Sequence, residues 1–241
     1  MMHELTTDTL FNGRLKIRQR RHGYRFSIDA VLLAHYVRPR AEETLLDMGT
    51  GSGVIPLILS YRFADMRIYG MEIQPDLYRL AVDNVRDNNL ENRITIVQHD
   101  LREPLSEIFP CPFDRVVCNP PYRKAQSGKV NPEPERAMAR HEISATIVDV
   151  LQTTRRTLKA GGRFVTIYPA QRSVDLLHAM RSEGIEPKRV RPVHSRPASE
   201  AKLILVEGIY GSRPGTMIEA PLVIYGDDGE YTREVQEMFR P

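Results

Sequence analysis

A glycine-rich segment at residues 47–53, with the sequence DMGTGSG, has the composition and spacing of a ligand-binding loop. Its glycines, Gly49, Gly51 and Gly53, allow a backbone to approach a ligand closely, and the helix predicted to follow favours polar or anionic groups at its N-terminus. A dinucleotide-binding fingerprint requires Gly or Ala at position 54, where this chain has Val54. The spacing therefore favours a nucleoside ligand over a pyrophosphate.

Acidic residues follow three predicted strands at the positions where such a ligand would lie. Asp47 ends the strand before the glycine loop, Glu72 ends the second strand, and Asp100 follows the third with Leu101 beside it. Ligands of open parallel sheets bind beyond the carboxyl ends of the strands, where these residues would meet. Glu72 is placed to accept hydrogen bonds from both hydroxyls of a ribose, and Asp100 to accept one from an adenine amine. We therefore predict that these residues and the glycines line the cofactor site.

An alternation of strands and helices, beginning at residue 44, has to position these residues. Predicted strands cover residues 44–47, 67–72, 94–97, 113–118 and 162–168, and predicted helices begin near residues 54, 75, 143 and 171. Such alternation implies right-handed crossovers and a parallel sheet covered by helices on both faces. Two further strands, 189–194 and 203–209, have no helix between them and predict a hairpin. The predicted fold class is α/β, with a Rossmann-like, mostly parallel sheet of seven strands and a C-terminal antiparallel hairpin.

The segment Asn119-Pro120-Pro121-Tyr122 directly follows the fourth predicted strand. It resembles the catalytic motif of amino-group methyltransferases that use S-adenosylmethionine, and residues 44–210 resemble their class I fold. The lone pair of a planar amino group is delocalised. The resemblance implies that the Asn119 side chain and the Pro120 carbonyl each accept one N–H as the nitrogen attacks the methyl group. It also implies that Tyr122 stacks on the planar substrate and that Asn119 contacts the cofactor.

Two shorter segments narrow this resemblance. Residues 27–33, which include Asp29, resemble the N-terminal element of the small tRNA adenine-N6 methyltransferases, whose members modify the adenosine immediately 3′ of the anticodon of a valine tRNA. Residues 139–142 are also similar to that family. The resemblance implies that Asp29 lies near the cofactor or the target amine, and that Arg140 orients the loop after the motif or contacts RNA.

The positive charge of the chain is unevenly distributed. Basic residues outnumber acidic ones by 34 to 31, and residues 14–25 hold six cations and no acid. Most of the cations are arginines, which bind phosphates through two parallel hydrogen bonds, although a GC-rich genome also enriches arginine. This segment and the family resemblance predict RNA, specifically tRNA, as the partner. The predicted phosphate ligands, on either side of a flipped-out adenosine, are Arg18, Arg20, Arg21, Arg123 and Arg140.

Three other functions remain open. Protein-glutamine N5 methylation uses the same tetrapeptide on an amide nitrogen, but the enzymes concerned carry a helical domain before the glycine loop, whereas about forty residues precede it here. DNA adenine methylation would need a segment long enough for a separate target-recognition domain. A non-catalytic RNA-binding module with a methyltransferase fold would not need the acidic residues of the site or Asn119.

Length and composition exclude further classes of protein. The chain has 241 residues, of which 41% are apolar, and fits neither disorder nor a small disulfide scaffold. Its longest apolar run, 54–59, is far shorter than a membrane span, and the N-terminus lacks the features of an export signal. Cys111 and Cys118 are too few for a structural zinc site. We expect a cytoplasmic enzyme that binds neither membrane nor metal.

No repeat or low-complexity linker divides the chain. We predict one domain over residues 1–241, in which a basic N-terminal arm and helix (1–43) precede the catalytic core (44–211) and a C-terminal extension (212–241). Residues 119–142 are rich in proline and charge, and a loop of this length in a compact domain is usually functional or mobile.

Overall fold

In a computed structural model of the chain, the structure describes residues 5–21, 26–105, 108–109, 112–120 and 145–241. The strands in this part of the chain are β1 (Leu5–Leu10), β2 (Leu15–Arg20), β3 (Thr44–Met48), β4 (Arg67–Glu72), β5 (Ile94–Gln98), β6 (Phe113–Cys118), β7 (Leu158–Pro169), β8 (Ile185–His194), β9 (Ala201–Tyr210), β10 (Met217–Ile218) and β11 (Leu222–Val223). The helices are α1 (Ile28–Tyr36), α2 (Val54–Arg62), α3 (Pro75–Asp87), α4 (Ile147–Thr157), α5 (Ser173–Ser182) and α6 (Arg233–Glu237), with a 3₁₀ turn at Ala170–Arg172.

One large sheet has the strand order β10-β8-β9-β7-β6-β3-β4-β5, and β11 also pairs with β8. All neighbouring strands are parallel except β9, which runs antiparallel to β7 and β8. The predicted α/β class, parallel strands and antiparallel hairpin are confirmed. The predicted count of seven strands is wrong, because nine strands form this sheet in the described residues. The two extra strands, β10 and β11, are two residues long and therefore too short to show any period in the sequence.

The strand order reverses between β3 and β6, because β4 lies on one side of β3 and β6 lies on the other. In doubly wound sheets, ligands bind at the carboxyl ends of the strands beside such a reversal. The glycine loop follows β3, and Asn119 follows β6. The topology therefore brings the two principal sequence motifs to the same point on the edge of the sheet.

Apolar residues alternate between the two faces of the sheet, as the pleat of a strand requires. Leu45 belongs to a buried cluster with Leu33 of α1 and Leu57 of α2, whereas Leu46 belongs to a second cluster with Leu151 of α4 and Leu176 of α5. Helices therefore cover both faces, as the alternation of elements predicted.

The segment that the sequence predicted to be a basic arm is a β-hairpin. β1 and β2 pair in antiparallel register, and the turn between them includes Phe11 and Asn12 at positive φ. Phe11, Leu15 and Ile17 are buried in the same apolar cluster as α1 and α2. Buried residues alternate with cations along β2, so one face of this strand packs against the core and the other carries the positive charge.

The C-terminal segment packs on the edge of the sheet and on α1. β10 and β11 both extend the sheet beyond β8, and Val235 and Met238 join the apolar cluster of α1 and α2. Tyr231 stacks between Tyr225 and Phe239, with ring centroids 5.2 and 5.7 Å away. Apolar residues from the beginning, middle and end of the chain therefore share one cluster.

Candidate active site

The glycine loop has a backbone that few other residues could adopt. Gly49, Gly51 and Gly53 all have positive φ, between 58° and 82°. A Cβ atom at position 53 would lie 3.3 Å from the Cβ of Ala81 on α3, whereas a Cβ at position 49 would meet nothing within 4 Å. α3 therefore leaves little room for a side chain at position 53. Position 49 faces open space, where a ligand could contact the backbone.

β4 holds the first half of the loop. The amides of Gly49 and Thr50 both donate to the carbonyl of Met71, at 3.0 and 2.9 Å. The amide of Gly51 donates to Oε2 of Glu72 at 2.9 Å. The loop and the carboxylate predicted to bind a ribose are thus fastened to one another.

Glu72 is buried at the carboxyl end of β4, with its side chain fixed at both oxygens. Oε2 accepts from Gly51, and Oε1 accepts from the amide of Gln74 at 2.9 Å. Burial raises the pKa of Glu72, and these amide hydrogen bonds oppose the rise. Each carboxylate oxygen has two lone pairs, so each could accept one further hydrogen bond from a ligand hydroxyl.

Asp47 is the most unusual acid of the site, because it is fully buried and neither carboxylate oxygen has a hydrogen-bond partner among the described residues. Burial raises its pKa to about 7, the nearby Thr50 hydroxyl opposes the rise, and the nearby charge of Glu72 adds to it. The neighbouring Cys118 thiol is also buried, which raises its pKa. A buried carboxyl with no partner calls for an explanation, and a polar ligand at the glycine loop would supply one.

Asp100 lies at the same edge of the sheet but is already engaged. The Nε of Arg102 lies 2.9 Å from Oδ1 and 3.0 Å from Oδ2, and this guanidinium holds the pKa of Asp100 below its usual value. The carboxylate is therefore not the open acceptor that the sequence suggested. An adenine amine would have to share it with Arg102, and the assignment stays a prediction.

A cleft with about 280 Å³ of empty space, open to solvent, lies at this edge of the sheet. Its lining consists of Gly49, Met71, Glu72, Ile73, His99, Asp100, Leu101 and Ala145. Four of the predicted cofactor residues therefore share one cleft. His99 was missed by the sequence analysis, although it immediately precedes Asp100. Its Nε2 is buried without a partner among the described residues.

Asn119 and Pro120 follow β6 beside the glycine loop. Cys118 pairs in register with Met48, so the residues that follow them, Asn119 and Gly49, leave the sheet from adjacent strands. Asn119 is half-buried and Pro120 is buried. Tyr122, Arg123 and Arg140 lie outside the described residues, and their roles stay predictions.

Asp29 lies in the first turn of α1 and is half-buried. The helix packs against α2 and β7 at the face of the sheet that also receives Asp47. The proximity of Asp29 to a cofactor or a target amine stays a prediction.

Two of the predicted phosphate ligands are paired with acids of the same chain. Arg18 lies 2.5 Å from Asp87, and Arg20 lies 2.5 Å from Asp76, at the two ends of α3. All four side chains are partly exposed, so the pairs are weak and could exchange with a competing anion. Arg21 is exposed at the end of β2. The prediction that these arginines bind phosphate stays open.

Within the ranges that the structure describes, no helix is long and apolar enough to cross a membrane. No group of three or more His, Cys, Asp or Glu side chains in those ranges is arranged to hold a metal ion.

Comparison with known proteins identifies the family. The profile of the family described as methyltransferase small domain matches residues 25–182. A protein of Porphyromonas gingivalis named tRNA1(Val) (adenine(37)-N6)-methyltransferase is 30% identical, with 98% of this chain and 95% of its own length covered. A protein of the same name from Actinobacillus pleuropneumoniae is 27% identical, with 87% of this chain and 86% of its own length covered.

A solved methyltransferase structure has a similar fold. A solved structure of a predicted O-methyltransferase from Agrobacterium tumefaciens superimposes with a TM-score of 0.71 at 22% identity, covering 87% of this chain and 94% of that one. At this identity the likeness speaks for the fold alone, whereas the family profile covers more than half of the chain. The chain therefore belongs to the methyltransferase small domain family and is an S-adenosylmethionine-dependent methyltransferase.

Proposed function

We propose that this enzyme methylates the N6 atom of an adenosine in tRNA, at the position next to the anticodon that the names of its relatives specify as 37. The observation that carries the proposal is the position of Asn119 and Pro120. They lie where the strand order reverses between β6 and β3, beside the cleft at the glycine loop. Because its proposed substrate is a tRNA, we also propose that the enzyme acts in the cytoplasm.

The residues around the cleft fit the cofactor in chemistry. Gly49 leaves the backbone open, Glu72 retains acceptor capacity, and Asp47 is a buried acid with no hydrogen-bond partner in the described part of the chain. We assign Glu72 to the ribose hydroxyls and Asp47, with Gly49, Gly51 and Gly53, to the polar amino-acid part. S-adenosylmethionine supplies, when bound, a methyl group on a positively charged sulfur.

Asn119 and Pro120 activate the target nitrogen in this proposal. The exocyclic amino group of adenine is planar because its lone pair is delocalised into the ring. The Asn119 side-chain oxygen and the Pro120 carbonyl would each accept one of its two N–H groups and stabilise the positive charge that develops on the nitrogen. Because both acceptors follow a buried strand, they are held in place before the substrate arrives, which lowers the entropic cost of alignment.

An adenosine has to leave its stack to reach such a site. Tyr122 would receive the flipped base on its ring, and Arg21, Arg123 and Arg140 would bind the flanking phosphates. Arg18 and Arg20 would join them by exchanging Asp87 and Asp76 for phosphate oxygens.

The test separates substrate classes directly. The enzyme is incubated with S-adenosylmethionine carrying a labelled methyl group and with separate tRNA, rRNA and protein pools from cells that lack the gene. We expect label in the tRNA pool, recovered as N6-methyladenosine after digestion, and none with the Asn119→Ala variant. Label recovered in protein as N5-methylglutamine would replace the proposal with the glutamine alternative.

A further inference from the structure

Asn84 is a fully buried asparagine on the face of α3 that also carries Leu77, Leu80 and Ala81. Its side-chain amide makes three hydrogen bonds to two separate segments. Nδ2 donates to the carbonyl of Ser52 at 2.9 Å and to the carbonyl of Arg18 at 3.0 Å. Oδ1 accepts from the amide of Arg18 at 2.8 Å. Both amide protons are therefore used, and one side chain connects α3, the glycine loop and β2.

Asn88, one helical turn further along α3, makes a similar contact with the hairpin but none with the loop. Its Oδ1 accepts from the amide of Lys16 at 2.9 Å, and its Nδ2 donates to the Lys16 carbonyl at 2.7 Å. The second bond of its Nδ2 goes to the Asn84 carbonyl, within the same helix. Four helical residues rise about 6 Å and two strand residues about 6.6 Å, so asparagines four apart match alternate residues of β2.

The Ser52 carbonyl belongs to the peptide that leads into Gly53, the residue that caps α2. β4 holds the first half of the loop through Met71 and Glu72. α3 holds the second half through the hydrogen bond from Asn84, and Ala81 of the same helix leaves little room for a side chain at position 53. Without that bond, a buried carbonyl would lose its side-chain donor, and the loop would shift to recover one.

We propose that Asn84 is a positioning residue for the cofactor, which sets the orientation of the Ser52–Gly53 peptide and fastens the N-terminal hairpin to the glycine loop. The proposal rests on the placement of S-adenosylmethionine at the glycine loop given above. It assigns Asn88 to the hairpin alone. The two asparagines therefore form a matched pair, in which only Asn84 is hydrogen-bonded to the glycine loop.

The test measures cofactor affinity by calorimetry, with no RNA or protein substrate present, for the wild type, Asn84→Ala, Asn84→Asp and Asn88→Ala. We expect the Kd for S-adenosylmethionine to rise about tenfold in Asn84→Ala, the scale of one lost buried hydrogen bond, and to change less than about twofold in Asn88→Ala. Asn84→Asp keeps the volume and the acceptor but loses both donors, so its Kd should rise at least as much as that of Asn84→Ala.

Kinetics separate positioning from loss of folding. In the Asn84 variants the KM for S-adenosylmethionine should rise while kcat at saturating cofactor is retained, because the reacting groups are untouched. A partly unfolded preparation would instead show a lower kcat at an unchanged KM, and that pattern would overturn the proposal. Equal Kd values in Asn84→Ala and Asn88→Ala would overturn it as well.

A measurement on the wild type covers the case in which the Asn84 variants do not fold. Cofactor should slow amide hydrogen exchange at Arg18, whose N–H is bonded to Asn84, and leave exchange at Lys16, bonded to Asn88, unchanged. Equal slowing at both amides would contradict the assignment. A wild-type protein that binds no S-adenosylmethionine would instead refute the cofactor placement itself, so the two failures are distinguishable.

Discussion

Two buried carboxylates occupy the same row of the sheet in opposite electrostatic surroundings. Asp47 on β3 is in register with Val117 on β6, then with Val165 on β7, and then with Glu207 on β9. Both acids lie two residues from a leucine of the cluster formed with α1 and α2, so both face that side of the sheet. They are 0% and 2% exposed. Position and burial are therefore closely matched.

Their partners differ completely. Oε1 of Glu207 lies 2.7 Å from Arg163 and 3.5 Å from Arg189, and Oε2 lies 3.3 Å from the fully buried Arg115. Asp47 has no hydrogen-bond partner among the described residues. Within the part of the chain that the structure describes, the fold therefore compensates the charge of Glu207 and leaves Asp47, two residues before the cleft-lining Gly49, without a partner. The lack of a partner among the described residues, rather than the acid itself, is what favours our assignment of Asp47 to the ligand site.

The largest expected effect is on stability at Glu207. Glu207→Gln removes the negative charge among three arginines and leaves Arg115 with Glu43 as its remaining acidic partner. Removing one member of a buried ionic network typically costs about 3–5 kcal/mol, which urea unfolding followed by circular dichroism would measure. Asp47→Asn, at the matched position, should not lower the free energy of unfolding at pH 7. Equal losses in the two variants would break the comparison.

The next effect is on catalysis at Asn119. Asn119→Ala should lower kcat by roughly a hundredfold or more, the scale for one positioned acceptor of the transition state. Cofactor affinity, measured by calorimetry, should stay close to that of the wild type, since the glycine loop, Glu72 and Asp47 remain. A variant that loses cofactor affinity and kcat together would show that Asn119 acts mainly in holding the cofactor.

Asp47 should also change how stability depends on pH. The pKa of Asp47 is raised to about 7 in the folded protein, so between about pH 4 and pH 7 the folded state binds more protons than the unfolded state. The contribution of Asp47 to the free energy of unfolding is therefore fully present below about pH 4. It is lost as the pH rises to 7, by roughly 1.4 kcal/mol for each pH unit. Asp47→Asn should remove this slope in the ligand-free protein.

Asp114, at the amino end of β6, provides the opposite case. Burial alone would raise its pKa, but hydrogen bonds from Lys159 and Thr44 hold the pKa below its usual value. Its contribution to stability should be present at neutral pH and lost as pH falls below about 4. Asp114→Asn should therefore lower the free energy of unfolding at pH 7. Relative to the wild type, the two substitutions should change the pH dependence of the free energy of unfolding in opposite directions. A change in the same direction would refute the raised pKa of Asp47.

The sequence predicted the central strands because each is a short apolar run that ends at a glycine loop, an acid or the Asn119 segment. The sequence also predicted that Glu72 and Asp100 lie at one edge of the sheet, because parallel strands place their carboxyl ends together. It could not separate Asp47 from Glu207. Both are single acids in apolar strands, and only the arginines of β6, β7 and β8, brought together by the fold, distinguish them.

The hairpin and Asn84 left weaker signals that can now be recognised. Leu15 and Ile17 alternate with cations, which is a strand period, but a dense run of cations is equally typical of an exposed basic arm. Asn84 interrupts the apolar stripe of α3 at a position where an apolar residue is expected, and a polar residue there indicates a buried partner. Which partner it meets depends on the hairpin and the loop, which are distant in sequence.

The smallest expected effect concerns the arginines of β2. Their partners Asp76 and Asp87 are partly exposed, so each ion pair should contribute no more than about 1 kcal/mol to stability. Replacing Arg18, Arg20 and Arg21 by Gln should raise the KM for tRNA and flatten its dependence on salt, because fewer counterions are released on binding. Cofactor affinity should not change, since the side chains lost are not those that hold the glycine loop.

The acids of α3 supply the matched control for these arginines. If phosphate competes with Asp76 and Asp87 for Arg20 and Arg18, then the double variant Asp76→Asn, Asp87→Asn should bind tRNA more tightly than the wild type and depend more steeply on salt. If the arginines only fasten the hairpin to α3, both the triple and the double variant should bind tRNA with wild-type affinity and parallel salt dependences. The surface of β2 would then be structural, like the surroundings of Glu207, and tRNA would have to be held by other parts of the chain.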